Sequence, residues 1–375
     1  MIAKMLALLV CLCCAPVLAF GAAPALVVSV EGARAALIHE QLGDGIHLFR
    51  ASSDLEQWTA TNSVVIINDD DVVVFDSCTR AVTARAVIAE IRKLTPKPVR
   101  LLVNSHWHQD HWSGNGEYAK AFPGLRIVAT AQTRAYMAHM GPNFFAEGTR
   151  RGIARAREAL DEAVKTGKQA DGTPLTADAR AQQEAELAVA GQFAAEVAAL
   201  PRVLPNTVYD GAMAFWSGAR EFRLLSVTGD ATASTVLYLP REKLLVTGDA
   251  LVSPEDGNGP PPWATNSYSI SPWLDSLRRL DALDVSIIVP GQGPAMHDKT
   301  YLRRTIDLFA AIIEQTHAAL DRGLTKLADV QAAVDVDAIA AGYPGAAKPD
   351  AGFHRWVGTL AKKVMQESLD GGDPK

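Results

Sequence analysis

Cysteine is scarce in this chain of 375 residues: there are four, and Cys11, Cys13 and Cys14 fall within the first fourteen positions. If that leader is removed, Cys78 stands alone and no internal disulfide can form, so stability must come from a hydrophobic core, which a chain of this length can bury. Cys78 itself reads as a small buried hydrophobe near a strand end. A basic run is missing too. Lys and Arg total 36 against 42 Asp and Glu, a net charge of −6, and no cluster of cations offers what a phosphate backbone needs. Nucleic acid is therefore not an expected partner. A membrane-spanning helix requires about 20 unbroken apolar residues, and the N-terminal stretch from Met5 to Phe20 is interrupted by Pro16. With Lys4 as the only charged side chain, and small residues at Ala19, Ala22 and Ala23, residues 1–23 read as a signal peptide. The expectation is an exported protein, periplasmic or secreted, without a stable membrane anchor. Global disorder is excluded by a composition that is 48% hydrophobic and 21% charged.

Order along the chain follows from turn formers and periodicity. Val64-Val65-Ile66-Ile67 and Val72-Val73-Val74-Phe75 flank Asn68-Asp69-Asp70-Asp71, which predicts a hairpin over 62–76. Val82, Ala86 and Ala89 keep helical spacing from Thr79 to Leu94, and Pro96 and Pro98 end it. Strands are expected at 100–103, 125–129, 221–227, 235–239, 243–246 and 286–289. Their alternation with helices indicates a layered α/β protein. Between Phe145 and Leu200 the composition turns to Ala, Glu, Arg and Gln. One apolar stripe joins Ile153, Ala156, Leu160 and Val164, a second joins Leu187, Ala190, Phe193, Val197 and Leu200, and Gly167 to Pro174 separates them. This predicts a helical hairpin inserted over 145–200, read as a packed cover or as a lid over a site. Pro and Gly between Ser253 and Ser269 predict a loop carrying Trp263 and Tyr268. From Tyr301 the chain reads as helical, with residues 371–375 frayed.

Chemistry concentrates in Asn104-Ser105-His106-Trp107-His108-Gln109-Asp110-His111, where three of the chain's nine histidines lie within six residues, directly after the strand ending at Val103. In an extended turn, residues two apart point the same way, so His106 and His108 converge on one point while Asp110 and His111 face an adjacent one. Imidazole and carboxylate suit zinc, iron or manganese. One loop cannot close a two-ion site, so further ligands must arrive from other strand ends. Two strands end in Thr-Gly-Asp, at Asp230 and at Asp249. Glycine lets the backbone turn sharply there and presents the carboxylate at the sheet edge. Val289-Pro290-Gly291-Gln292-Gly293-Pro294 repeats the strand-then-glycine design. Trp107, Trp112, Trp263 and Tyr268 are candidates to line an apolar groove around the site, with core packing an equal alternative for the first two.

With these motifs in this order, the chain from about Gly45 to Leu308 resembles a metallo-β-lactamase-fold protein. The His106 to His111 run matches that family's metal loop, Asp249 its bridging aspartate, and the Pro290 to Pro294 turn its last metal loop. The resemblance implies an α/β protein: a four-layer αββα sandwich over 40–310 with the metal site at one edge, here carrying the helical-hairpin insertion and followed by a helical C-terminal extension over 311–375. It also implies hydrolysis, or in some members oxidation, at a metal. Two positions depart from the family pattern: the third loop has Asp230 and the last has Gln292, where histidine is usual. A first ion held by His106, His108 and Asp230 exchanges an imidazole for a harder oxygen donor, which favours iron or manganese relative to zinc. A second ion held by Asp110, His111 and the shared Asp249 has only the neutral amide of Gln292 as a further partner and is expected to be weak or absent. His297, five residues later, reads as a surface histidine. The expected function is an exported hydrolase of an ester, lactone, lactam or thioester. One or two divalent ions, zinc first among them, generate hydroxide at neutral pH, and Asp110 orients it and passes a proton to the leaving group. A metal- or partner-binding relative without turnover and a mono-iron oxidising enzyme are the alternatives. The expected partner is a small-molecule substrate, whose identity the sequence leaves open, as it does the oligomeric state.

Overall fold

The structure, a computed structural model, describes residues 26–30, 33–51, 61–140, 144–252, 269–341 and 351–369. The expected signal peptide, the 253–268 part of the expected loop with Trp263 and Tyr268, and the 371–375 tail lie outside the described residues.

Eight strands form one sheet in chain order: β1 (Leu26–Val30), β2 (Ala33–Gly43), β3 (Ile46–Ala51), β4 (Asn62–Ile67), β5 (Val72–Phe75), β6 (Val99–Val103), β7 (Arg126–Thr130) and β8 (Thr207–Tyr209). Pairing is antiparallel from β1 to β5 and parallel from β5 to β8. The second sheet has β9 (Ala212–Ser217), β10 (Arg220–Val227), β11 (Ser234–Leu239), β12 (Leu244–Val246) and β13 (Ile287–Val289), in the order β13-β12-β11-β10-β9. Its last pair, β12 with β13, is parallel.

The central strands are apolar on both faces because both faces are covered. Successive side chains on a strand point to opposite sides, and each run divides accordingly. Val64, Ile66, Val73, Phe75, Leu101 and Val103 meet Phe222, Leu224, Leu237, Leu239, Leu244, Val246 and Val289 in the core between the sheets. Their neighbours Val65, Val72, Val74 and Leu102 turn outward, onto Val82, Ala86, Val87 and Ile91 of helix α1 (Ala81–Leu94). On the other side Val236, Tyr238, Leu245 and Ile288 face Trp273, Leu274 and Leu277 of helix α7 (Ser271–Asp281). Each buried aliphatic side chain contributes about 1.5–3 kcal/mol. The result is the four-layer sandwich of helix, sheet, sheet and helix.

In chain order between β6 and β8 come short helices α2 (Gln109–Trp112), α3 (Asn115–Ala121) and α4 (Ala131–His139), and then the expected hairpin, α5 (Phe144–Thr166) and α6 (Ala177–Ala199). Its second stripe is buried at Leu187, Ala190, Phe193 and Val197, while the first ends on Ala163 rather than Val164, which is exposed. Three-then-four spacing carries the buried face from Ala156 and Leu160 to residue 163. The C-terminal part is helical: α8 (Thr300–Asp321), α9 (Leu327–Ala332), α10 (Val336–Ala341) and α11 (Ala351–Leu369). Helix α8 runs straight through residue 310, and Val334, Ile339, Val357, Leu360 and Val364 share one core with Trp273, Leu277 and Ile312.

The chain leaves β5, β6, β10, β12 and β13 at the same edge of the sandwich, and every residue singled out above for metal chemistry follows one of the last four.

Candidate metal centre

The loop after β6 changes conformation midway. His108 is extended, with φ −65° and ψ 133°, and caps α2, whose first turn contains Asp110 and His111. His106 and His108 therefore face one point, and Asp110 and His111 another. Asp230 after β10 and Asp249 after β12 complete the first group: His106, His108, Asp230 and Asp249 each offer a ligand atom within 4.8 Å of the others. His108 Nδ1 lies 3.1 Å from Asp230 Oδ2, and His106 Nε2 lies 3.9 Å from both Asp230 Oδ1 and Asp249 Oδ2. The second group is Asp110, His111 and Asp249. His111 Nε2 is 3.2 Å from Asp110 Oδ2 and 3.3 Å from Asp249 Oδ1, so Asp249 faces both groups.

Glycine makes this approach possible. Gly248 has φ +51°, and a Cβ there would stand 2.5 Å from Ser105 Cβ; a Cβ on Gly291 would stand 2.0 Å from Asp249 Oδ1. The last loop thus presses directly on the carboxylate that both groups share. Gln292 is brought to the cluster, but as a hydrogen-bond donor: its Nε2 reaches Asp110 Oδ2 at 3.2 Å. His297 is at the surface, 3.5 Å from Glu40.

A divalent cation fits the first group on the chemistry of its donors. His106 Nε2 and Asp230 Oδ1 are buried and make no hydrogen bond, an arrangement that costs free energy unless something positive sits between them. The ionisation of the cluster points the same way. Burial, then His111 and His108, hold His106 well below the usual imidazole range. Burial pushes Asp249 up to about 6, opposed by His111 and reinforced by Asp230 and Asp110. Burial also works against charge on His108 and His111, but the facing carboxylates overcome it and raise both. Asp110 is lowered, because His111 and His108 outweigh its burial. His108, with 24% of its side chain exposed, is the open side of the first group; His106, Asp230 and Asp249 are covered.

Three residues that the sequence reading passed over hold this geometry. Asp76 follows β5 with φ +60°, a left-handed conformation that aspartate tolerates better than most residues. Its carboxylate accepts from Ser105 N, Ser105 Oγ and His111 Nδ1, each at 2.7 Å. Ser105 Oγ is also 2.9 Å from His106 Nδ1. The single hydroxyl proton of Ser105 goes to Asp76, so His106 Nδ1 must donate to Ser105 Oγ. One carboxylate thereby fixes the Nδ1–H tautomer of two imidazoles and leaves both Nε2 atoms free to ligate. The signal was available: Asp76 follows a wholly buried strand, as Asp249 does. Thr61 is the third, its hydroxyl 3.4 Å from Asp110 Oδ2. Trp107 and Trp112 are buried with Met137 and Ala231, so they brace the loop as core residues.

The profile of the metallo-beta-lactamase superfamily matches residues 57–292. The chain belongs to that superfamily. The chain is similar to the linear primary-alkylsulfatase of Pseudomonas sp. (strain ATCC 19151), 26% identical over 262 residues that make up 68% of this chain and 46% of that protein. Among solved structures, an inverting sec-alkylsulfatase from Pseudomonas sp. superposes with a TM-score of 0.54 at 18% identity, covering 90% of this chain and 50% of that one. At that identity the likeness speaks for the fold. The chain spans about half the length of these relatives. Within the metallo-β-lactamase sandwich, a cluster of imidazoles and carboxylates at one sheet edge is suited to hold a divalent ion and activate water for hydrolysis.

Proposed function

We propose that the chain is a metal-dependent hydrolase whose ion is held by His106, His108, Asp230 and Asp249, and that its substrate is an alkyl sulfate ester. The observation that carries the metal is the pair of buried, unsatisfied atoms, His106 Nε2 and Asp230 Oδ1, that face each other across the first group. The substrate class draws support from the similarity to a linear primary-alkylsulfatase. Zinc is the first ion to test, with iron and manganese suited to the same mixed donors. A bound divalent ion lowers the pKa of water from 15.7 to about 7 and polarises the oxygen of the bond to be cleaved.

The chain's own residues do the rest. Asp76, acting directly on His111 and through Ser105 on His106, holds a proton on each Nδ1 and aims both Nε2 atoms into the site. Asp110, kept ionised by its imidazole neighbours, takes the proton released by the attacking water and returns it to the departing alkoxide. Water adds across the ester linkage, giving an alcohol and hydrogen sulfate. Substrate enters beside His108, the half-open member of the cluster. Export is part of the proposal, on the strength of residues 1–23; a mass for the mature protein that retains Met1 contradicts it.

The test is sulfate release from hexyl and octyl sulfate by the zinc-, iron- or manganese-loaded protein, alongside chromogenic carboxylic esters, lactones, lactams and thioesters. Sulfate release that is lost on chelation and in His106→Ala supports the proposal. Turnover confined to another ester class moves the substrate, iron-dependent dioxygen consumption favours oxidation, and a loaded but inert protein removes the catalytic reading.

A further inference from the structure

The two halves of the cluster are not equivalent. Both contain buried atoms without a hydrogen bond, His106 Nε2 and Asp230 Oδ1 in the first and His111 Nε2 and Asp249 Oδ1 in the second, and the difference lies at Asp110. In the second, Asp110 Oδ2 is already met by two protein donors, Gln292 Nε2 at 3.2 Å and Thr61 Oγ1 at 3.4 Å. These donors are carried on stapled backbone. Thr61 and Gln292 pair in an isolated antiparallel bridge, and Asn62 N donates to Gly291 O at 2.9 Å. The Asn62 amide then donates to the carbonyls of Pro290 and Gly293 at 2.7 and 2.9 Å, which locks the last loop against the start of β4.

Glutamine offers a cation one ligand atom, its amide oxygen, and the side chain is turned the other way. An NH2 group has no lone pair to give. Presenting the oxygen instead means rotating the amide, which breaks the bond to Asp110 and sets two oxygens against each other. His297 offers no substitute: it is 66% exposed and pairs with Glu40.

We infer that Thr61 and Gln292 form a hydrogen-bond clamp that withholds Asp110 from coordination, so that the chain holds a single divalent ion in the first group. The inference rests on the metal-dependent reading above and sharpens it: Asp110 stands beside the ion as a hydrogen-bonded carboxylate rather than inside its coordination shell. Gln292 and Thr61 act through Asp110 and are positioning residues.

The experiment is zinc stoichiometry of the full chain, by elemental mass spectrometry after dialysis and by calorimetric titration. One zinc per chain is the expected result, with any second equivalent bound at least about 100-fold more weakly. Gln292→His supplies an imidazole and removes the clamp's main donor, and it should raise the count to two. Thr61→Val removes the other donor at nearly constant shape, and it should tighten the second equivalent by about 10-fold, the worth of one hydrogen bond to a carboxylate. Two zinc ions of similar affinity in the unaltered protein overturn the inference while leaving metal-dependent hydrolysis intact. A folded Gln292→His protein, verified by circular dichroism, that still binds one zinc overturns the role given to Gln292. No zinc, iron or manganese at all overturns the metal reading itself, and the clamp with it.

Discussion

Asp76 reaches both halves of the metal centre without belonging to either, and it gives the sharpest test at the scale of single residues. Partners of this kind change metal affinity by about 10–100-fold when removed. Asp76→Asn should lower zinc affinity by that factor, because Asp76 orients the Ser105 hydroxyl that accepts from His106 Nδ1 and so sets the tautomer of that ligand. Ser105→Ala should act through His106 and leave the contact of His111 with Asp76. Competition titration against a chromogenic chelator measures both, and unchanged affinity in Asp76→Asn contradicts the relay. Acidity should matter in a defined direction. Asp249 is pushed up to about 6 and His108 is raised above its ordinary value, and each must lose its proton before it can ligate. Zinc affinity therefore rises as pH passes through about 6, where Asp249 loses its proton, and goes on rising as His108 loses its own. The ion-free protein runs the other way at Asp249. A carboxyl whose folded pKa is raised favours folding at low pH and loses that contribution as pH rises through about 6. The gap between melting temperatures with and without zinc should widen with pH; a constant or narrowing gap contradicts this. At this scale the sequence disclosed the histidines and the strand-end aspartates through spacing alone. It could not disclose which way the Gln292 amide turns, since that depends on Thr61 and Asn62, some 230 residues away along the chain.

Among the elements, legibility followed unbroken apolar sequence rather than burial alone: β3 is almost wholly buried, yet His47 and Arg50 interrupt its run and it was not visible. Strands β4, β5, β6, β11 and β12 were visible as apolar runs between turn formers, because covering on both faces selects unbroken apolar sequence. Strand β9 was not. Its residues alternate between exposed and half-buried at the edge of the second sheet, and Trp216 is exposed. The start of α7 shows a dependence no local pattern contains. Ile270 occupies the capping position and provides no side-chain cap, and the carboxylate of Glu367, from α11, takes that role. It accepts from Ser269 Oγ at 3.0 Å, from Ser271 Oγ at 2.6 Å, and from the backbone N–H groups of Ile270 and Ser271. Loss of a cap costs about 0.5–2 kcal/mol. Glu367→Ala should lower the denaturant midpoint by a corresponding amount and leave zinc stoichiometry unchanged. An unaltered midpoint contradicts the capping role.

For the molecule as a whole, two sheets packed face to face deliver the ends of separate strands to one edge. The α/β layering was legible because helical and strand periodicities alternate along the chain. The contact between sheets was not, since Phe222 and Leu224 meet the β4–β6 core only through long-range packing. Arg220 reinforces that contact by donating to Ile67 O, Asn68 Oδ1, Asp44 O and Glu242. The architecture serves a cation at His106, His108, Asp230 and Asp249, and anomalous diffraction at the zinc edge from crystals of the zinc-loaded protein addresses that most directly. The expected result is one dominant peak enclosed by His106 Nε2, His108 Nδ1 and the carboxylates of Asp230 and Asp249. A map without a peak there, or with its main peak elsewhere, contradicts it.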